Sequence, residues 1–232
     1  MKQIKIKGVI IRNDDAWIYD LFGIEATCPN DVATILESAA GEDVEISINS
    51  GGGLVSAGQE IYTMLREYRG HVLIKIQSMA ASSAAVIAMA GESEISPVAQ
   101  LMIHNVTGEN SGDNRSMEHM AEVLETTNKA LASAFRLKTG KSEEEILDLM
   151  NNETWLTAER AVKEGFVDRV MFEPVKGTEP VRLAASTGSG LLPSKVLDYA
   201  RTHLTGTKNN AAMEKAKAEF EFLKMEEKKH DI

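Results

Sequence analysis

The chain has 232 residues, of which 43% are hydrophobic, and it carries a formal net charge of −10. This length suits one well-packed domain with an appendage. The acidic balance argues against broad attraction to nucleic acid or anionic membranes, because both need a basic protein face. The single cysteine, Cys28, excludes an intrachain disulfide and a multi-cysteine metal site and fits a reducing compartment.

The N-terminal residues lack the pattern of a signal peptide. Residues 1–11 alternate lysine and isoleucine where a signal peptide would have an unbroken apolar run. No segment of the sequence approaches the length of a membrane span. We therefore expect a cytoplasmic protein, and we predict no cofactor and no metal site.

The first half of the chain alternates predicted strands and helices. Strands are predicted at 4–11, 44–49 and 71–77, and helices at 29–39 and 55–69. Residues 50–53, Ser-Gly-Gly-Gly, interrupt the pattern sharply. This alternation predicts an α/β fold with right-handed crossovers and a largely parallel sheet.

The second half is dominated by one long predicted helix. A small-residue stretch at 80–90, a strand at 100–104 and a polar loop at 105–113 precede this helix, which covers 115–138. Its apolar stripe, spaced by three and four residues, predicts that it buries a face. A helix at 142–150, a tryptophan-containing turn, a helix at 158–164 and a strand at 166–171 complete the domain. The stripe consists of Met117, Met120, Leu124, Thr127, Leu131 and Ala134, with Phe135 beside them.

The composition changes at Glu173, so we divide the chain there. Residues 1–173 form the predicted domain, 174–192 a linker rich in Pro, Gly, Ser and Thr, and 193–232 a helical tail. The apolar side of the tail favours packing on its own or a neighbouring subunit. Membrane binding is less favoured because the polar face of the tail mixes charges of both signs.

Ser82 is the first candidate catalytic residue. It lies in Ser-Met-Ala-Ala-Ser-Ser-Ala-Ala, residues 78–85, between a predicted strand and a predicted helix. At such a turn the free N–H groups of the first helical turn face a developing oxyanion. Taken alone the position favours helix capping, for which serine is also preferred.

His104 is the second candidate, at the end of the strand Leu-Met-Ile-His. An imidazole can take the proton of a serine hydroxyl near neutral pH. Taken alone, a structural or exposed histidine is the better interpretation. The remaining histidines are poorer candidates: His71, His119, His203 and His230.

The glycines at 51–53 form a third candidate site, between a strand and a helix. Consecutive glycines allow positive φ and bring backbone N–H groups close to a bound group. A phosphate site is the alternative, but GxxxxGK[ST] is absent, which favours an oxyanion site. Cys28 is a weak candidate nucleophile, since it precedes Pro29 with no histidine near it in sequence.

These segments, in this order, resemble the motifs of the Clp protease proteolytic-subunit (ClpP) family. They read INSGGGLVSAGQEIYTML, SMAASSAAVIAMAG, LMIH and ETWLTAERAVKEGFVDRV. The family pattern runs roughly INSPGG, GxAASMGA, MIHQP and FLSAxEAxEYGLVD. The similarity spans residues 4–171 and implies the ClpP/crotonase-like ββα superhelix, with helix 115–138 as a projecting handle.

The resemblance also assigns roles to residues. It makes Ser82 the nucleophile and His104 the general base, with the amides of Gly53 and Ser83 in the oxyanion hole. Gly51 replaces the proline of the motif.

The third member of the triad departs from the family pattern. The catalytic aspartate of the family falls at Glu153 or Thr154, and matching Trp155-Leu156 to the family's Phe-Leu places it on Glu153. Glutamate can orient an imidazolium as aspartate does, with a longer reach. Asp148 and Asp168 are the alternatives.

The function implied by the resemblance is serine endopeptidase activity inside a self-compartmentalised homo-oligomeric ring. The ring has six or seven subunits, alone or stacked, and acts on peptides or unfolded proteins. The first predicted strand begins too near residue 1 to leave room for the family's ATPase-contacting segment, so we do not expect an AAA+ partner. Together with the tail, this resembles phage or prophage head-maturation proteases, which would place the chain in the cytoplasm of a bacterial host.

Two other classes of protein remain open. A crotonase-type acyl-CoA enzyme shares the fold and its oxyanion amides but leaves the pairing of Ser82 and His104 unexplained. A catalytically silent shell or scaffold subunit is favoured if Glu153 cannot reach His104.

Overall fold

The computed structural model describes residues 1–172 together with Ala218. The strands are β1 (Lys2–Ile10), β2 (Ala26–Thr27), β3 (Val44–Gly53), β4 (Val72–Ala81), β5 (Glu92–Ile95), β6 (Gln100–Ile103), β7 (Thr154–Thr157) and β8 (Arg169–Val170). The helices are α1 (Ala16–Leu21), α2 (Pro29–Ala39), α3 (Val55–Glu67), α4 (Ser83–Ala88), α5 (Asn114–Thr139), α6 (Glu143–Asn151) and α7 (Ala158–Lys163), with a 3-10 turn at Asn13–Asp15. The predicted linker and tail lie outside the described residues, apart from Ala218.

The strands form one eight-stranded sheet in the order β2-β1-β3-β4-β5-β8, with β6 on β4 and β7 on β6. Every pairing is parallel except that of β6 with β7. The predicted α/β fold class with a largely parallel sheet is therefore confirmed.

Isoleucines at alternate positions form the inner face of the central strands. Ile61 and Leu65 of α3, one helical turn apart, are buried in the same core. Burying each such side chain stabilises the fold by about 1.5–3 kcal/mol. The buried isoleucines are Ile4, Ile6, Ile46, Ile48, Ile74 and Ile76.

A fork in the sheet determines where the candidate site lies. The first part of β4 pairs with β5, whereas its last residues pair with β6, up to Ala81 opposite Met102. The amide of Ser82 continues this pairing by donating to the carbonyl of Met102 at 3.0 Å. The end of β4 and the end of β6 are thereby held side by side.

Several short elements were not predicted. They are α1, β2 and β5, and their few residues give too short a pattern to register as a helical or strand period. The expected break at 50–53 is also wrong in position, because β3 continues through Gly53. The expected tryptophan-containing turn is the strand β7, which pairs with β6.

The long helix α5 is buried mainly in its C-terminal part. Leu131, Ala132, Ala134 and Phe135 are buried, whereas Met117 is 44% exposed. The predicted apolar stripe therefore covers the core with its second half and leaves its first half accessible. Among the described helices, none combines the length and apolar character needed to cross a membrane.

Candidate active site

Ser82 occupies a strained turn between β4 and α4. Its φ of 56° and ψ of −126° lie outside the regions that non-glycine residues favour. Such strain persists where surrounding contacts fix the backbone, and it is a known feature of turns that present a nucleophile. Its backbone is fixed by the bond to Met102 and by α4, whose Ala85 amide donates to the Ser82 carbonyl at 3.0 Å.

His104 lies directly after β6 and meets Ser82 across the fork. Its Nε2 is 2.8 Å from Ser82 Oγ. When the hydroxyl donates to Nε2, the ring carries its own proton on Nδ1, which then needs an acceptor. The structure thus joins two candidates that are 22 residues apart in sequence.

Gly52 lies against the Ser82 turn with a φ of 95°. A Cβ at this position would be 2.6 Å from the Ser82 Cβ and 3.1 Å from the Ser83 amide nitrogen. Any larger residue would therefore displace the turn that carries the hydroxyl.

The backbone amides of the two residues that flank Gly53 donate hydrogen bonds within the protein. The Gly52 amide donates to Ser50 Oγ at 3.1 Å, and the Leu54 amide donates to the Ile10 carbonyl at 2.8 Å. The Ser83 amide belongs to the first residue of α4, which has no carbonyl partner four residues earlier in its helix.

The Ser83 side chain packs toward α3 and is 2% exposed. A Cβ on Gly58 of α3 would come within 2.7 Å of the Ser83 Cβ, so glycine permits this close helix contact. The Ser83 hydroxyl has no hydrogen-bond partner among the described residues. The assigned role of Ser83 uses its amide and does not depend on that hydroxyl.

Glu153 precedes β7 with a φ of 43°, and its side chain is exposed. Its Oε1 accepts a 3.2 Å hydrogen bond from Trp155 Nε1. Within residues 1–172, the His104 ring is hydrogen-bonded to Ser82 and not to Glu153. The last pair of the β6–β7 ladder is Ile103 with Thr154, and His104 and Glu153 are the residues that adjoin this pair.

The two alternative carboxylates, Asp168 and Asp148, accept hydrogen bonds from residues other than His104. Asp168 Oδ2 accepts bonds from the Ser93 amide at 2.7 Å and from Lys138 Nζ at 2.5 Å. Burial opposes ionisation of Asp168, but these two donors outweigh it and lower its pKa. Asp148 Oδ1 accepts from Asn152 Nδ2 at 3.3 Å. Neither carboxylate is hydrogen-bonded to the His104 ring.

Cys28 offers no competing nucleophile. It is 3% exposed, and burial, as the largest effect, raises the pKa of its thiol. A raised pKa reduces the thiolate fraction, which is the reactive form. Among the described residues, no group of three or more His, Cys, Asp or Glu side chains could hold a metal ion.

Sequence reasoning missed a pair of asparagines at the same end of the ladder. Asn105 Nδ2 donates to Asn151 Oδ1 at 2.8 Å, which joins the loop after His104 to the end of α6. The position of Asn105 directly after His104 was the available signal, but asparagine is common in polar loops and carries little information by itself.

Comparison with known proteins adds a family match. The family model described as Clp protease matches residues 24–174. The ATP-dependent Clp protease proteolytic subunit 1 of Streptomyces avermitilis is 35% identical over 147 residues, which are 62% of this chain and 66% of that protein. The proteolytic subunit 2 of Tropheryma whipplei is 29% identical over 135 residues, 57% of this chain and 75% of that protein. The match thus spans just under two thirds of the first relative.

Proposed function

Because the chain belongs to the Clp protease family, we propose that it is a serine endopeptidase that hydrolyses peptides or unfolded proteins. The observation that carries this proposal is the 2.8 Å contact between Ser82 Oγ and His104 Nε2. A serine hydroxyl is a weak nucleophile unless an adjacent base removes its proton, and a neutral imidazole at this distance is such a base.

The proposed reaction is acyl transfer to Ser82. The hydroxyl oxygen attacks the scissile carbonyl while His104 Nε2 takes its proton. The same nitrogen then protonates the leaving amine, which leaves an acyl-enzyme. A water molecule, deprotonated by His104, releases the second product.

The developing oxyanion would be bound by the amides of Gly53 and Ser83. The Ser83 amide belongs to the first residue of α4, where the helix itself supplies no carbonyl partner, and helix termini are a usual source of oxyanion donors. Gly52 approaches Ser82 and Ser83 closely. This approach brings the end of β3, which carries the Gly53 amide, next to the nucleophile. An amide donor acting on the transition state typically contributes about 2.7–4 kcal/mol.

Glu153 would accept the Nδ1 proton of His104 and stabilise the imidazolium. The position of the two residues along the chain supports this role, because His104 directly follows Ile103 and Glu153 directly precedes Thr154, which form the last pair of the β6–β7 ladder. A carboxylate there would hold the ring in the tautomer that leaves Nε2 free to act as the base.

The proposed quaternary setting is a homo-oligomeric ring of six or seven subunits, alone or stacked. The accessible first half of α5, which includes Met117 and Val123 at 44% and 43% exposure, supports a subunit contact along this helix. A role in phage head maturation and a cytoplasmic location stay predictions of the sequence.

A catalytically silent shell subunit is the second candidate. It is favoured by one observation, that the hydrogen bond of Glu153 goes to Trp155 and not to His104.

Hydrolysis of a fluorogenic peptide by single and double variants tests the proposed function. Ser82→Ala and His104→Ala should each abolish most activity, and the double variant should be no slower than either alone, because the two residues act as one unit. Ser38→Ala, on the exposed surface of α2, is the matched control and should retain wild-type activity. Retained hydrolysis in Ser82→Ala would overturn the proposal.

A further inference from the structure

Ser50 of β3 forms hydrogen bonds to two backbone groups close to the candidate site. Its hydroxyl donates to the Gly8 carbonyl of β1 at 2.7 Å and accepts from the Gly52 amide at 3.1 Å. The residue itself is 2% exposed. We infer that Ser50 is a positioning residue that holds the end of β3 against the Ser82 turn, an inference that rests on the proposed function.

Regular strand pairing does not hold β3 at this point. The β1–β3 register shifts between Lys7 and Val9, and the β3–β4 register shifts between Ile48 and Ser50. Such irregularities leave backbone groups without their ladder partners, and a buried group without a partner is costly. Because a hydroxyl both donates and accepts, Ser50 bonds one carbonyl and one amide at the interruption.

Gly8 gives Ser50 a fixed point of attachment. Its φ is 63°, and a Cβ there would lie 1.8 Å from the Glu25 carbonyl oxygen, so β1 packs directly on the chain that precedes β2. The hydroxyl of Thr27 donates to the Lys7 carbonyl at 2.8 Å and accepts from the Lys7 amide at 2.9 Å. This part of β1 is therefore held from the β2 side, and Ser50 bonds β3 to it.

Gly52 connects this attachment to the nucleophile. A Cβ at Gly52 would lie 2.7 Å from the Ala81 carbonyl oxygen and 2.6 Å from the Ser82 Cβ, so its backbone lies directly against the turn. A shift of Gly52 would also move the adjoining Gly53 amide, which is the proposed oxyanion donor of β3. The two bonds of Ser50 thus fix the distance between the nucleophile and the proposed oxyanion site.

Ser50→Ala tests this role, because it removes the hydroxyl and both of its hydrogen bonds. We expect kcat for a fluorogenic peptide to fall roughly ten- to a hundredfold, since a misplacement of about 1 Å can cost about a hundredfold. The KM should change little, because Ser50 is not assigned a contact with substrate. Dividing kcat by the final stoichiometry of fluorophosphonate label on Ser82 removes the effect of any misfolded fraction.

A peptide aldehyde measures the oxyanion geometry separately. Ser82 Oγ bonds to the aldehyde carbon, its proton passes to His104, and the electron pair of the C=O bond moves to the oxygen that the amides bind. We expect the affinity of Ser50→Ala for the aldehyde to fall by about the same factor as kcat. The affinity for the corresponding peptide alcohol, which forms no such adduct, should not change.

Ser47→Ala is the matched control. Ser47 lies on the same strand and is 7% exposed, but its hydroxyl takes no part in the contacts to Gly8 and Gly52. It should keep the parental kcat and aldehyde affinity. Ser50→Cys is the second variant if Ser50→Ala does not fold, because a thiol has a similar shape but is a weaker donor and acceptor. It should show the same two losses to a smaller extent.

A parental kcat per labelled site and a parental aldehyde affinity in Ser50→Ala, or in Ser50→Cys if the alanine variant does not fold, would overturn the inference. So would a loss that appears only as a lower stoichiometry of label, which indicates a structural role. With an active wild-type enzyme, both outcomes leave the proposed function standing. A wild-type protein that neither hydrolyses peptide nor reacts with a fluorophosphonate at Ser82 would instead refute the proposed function, and the inference with it.

Discussion

Gly52 sets the position of the catalytic turn at the scale of a single residue. Its φ of 95° is unfavourable for any residue with a side chain, and a Cβ at this position would lie only 2.6 Å from the Ser82 Cβ. The turn therefore has no room for a side chain here. We predict that Gly52→Ala lowers stability by about 1–3 kcal/mol through backbone strain and largely abolishes hydrolysis by displacing Ser82.

Gly51→Ala is the matched control for this prediction. A Cβ at Gly51 would meet Met79 Cε at 3.5 Å, an ordinary van der Waals contact. Urea unfolding and peptide hydrolysis of the two variants should therefore differ. Equal behaviour of Gly51→Ala and Gly52→Ala would show that the close approach of β3 does not position Ser82.

Single residues show where sequence reasoning succeeds and where it ends. Ser82 and His104 could be named because each follows a predicted strand and matches a motif, and the structure brings their side chains into contact. The contact between Trp155 and Glu153 could not, because it depends on one positive φ and on side-chain rotamers that no periodicity encodes. The catalytic role of each residue stays a prediction.

At the scale of elements, an ion pair fastens the end of α5 to the sheet. Lys138 Nζ is 2.5 Å from Asp168 Oδ2, with the lysine side chain 12% exposed and the aspartate 44%. The same carboxylate accepts from the amide and the hydroxyl of Ser93 in β5. The two residues that donate to Asp168 thus connect α5 and β5 to the residue that precedes β8.

The lowered pKa of Asp168 gives this contact a defined pH dependence. A carboxylate whose pKa is lower in the folded state stabilises the fold above its unfolded pKa, about 3.9, and loses this contribution as pH falls through the folded value. We predict that Asp168→Asn costs no more than about 1 kcal/mol at neutral pH, since solvent screens a half-exposed pair. The difference from wild type should shrink below about pH 4.

Urea unfolding across pH measures this effect, and Asp20→Asn, at an exposed position of α1, is the control. A loss in Asp168→Asn that is the same at pH 3 and pH 7 would contradict a charge-based contribution.

Long elements were predictable and short ones were not. Helix α2 has the predicted bounds of 29–39, and α5 differs from 115–138 by one residue at each end, because an N-terminal Pro and a C-terminal Gly mark their limits. Strand β5 was not predicted because its outward-facing residues, Glu92 and Glu94, are charged. In the structure both accept hydrogen bonds from Arg169. Strand β7 has four residues, too few for alternation to distinguish it from a turn.

At the scale of the whole molecule, the site exists because strand β4 pairs with two different strands along its length. The pairing of β4 first with β5 and then with β6 brings His104 to Ser82, and the antiparallel addition of β7 brings Glu153 to the same end. No local pattern encodes this fork. The α/β class followed from the alternation of elements, whereas the contact between Ser82 and His104 depends on the topology.

Covalent labelling of the full-length protein with a fluorophosphonate tests the central claim most directly. Such a probe reacts with serine hydroxyls that a neighbouring base activates, and peptide mass spectrometry locates the modified residue. We predict a single label on Ser82 in the wild-type protein and a label greatly slowed in His104→Ala. A wild-type protein that stays unlabelled, or that carries the label on another serine, would contradict the assignment of Ser82 and His104 as a catalytic pair.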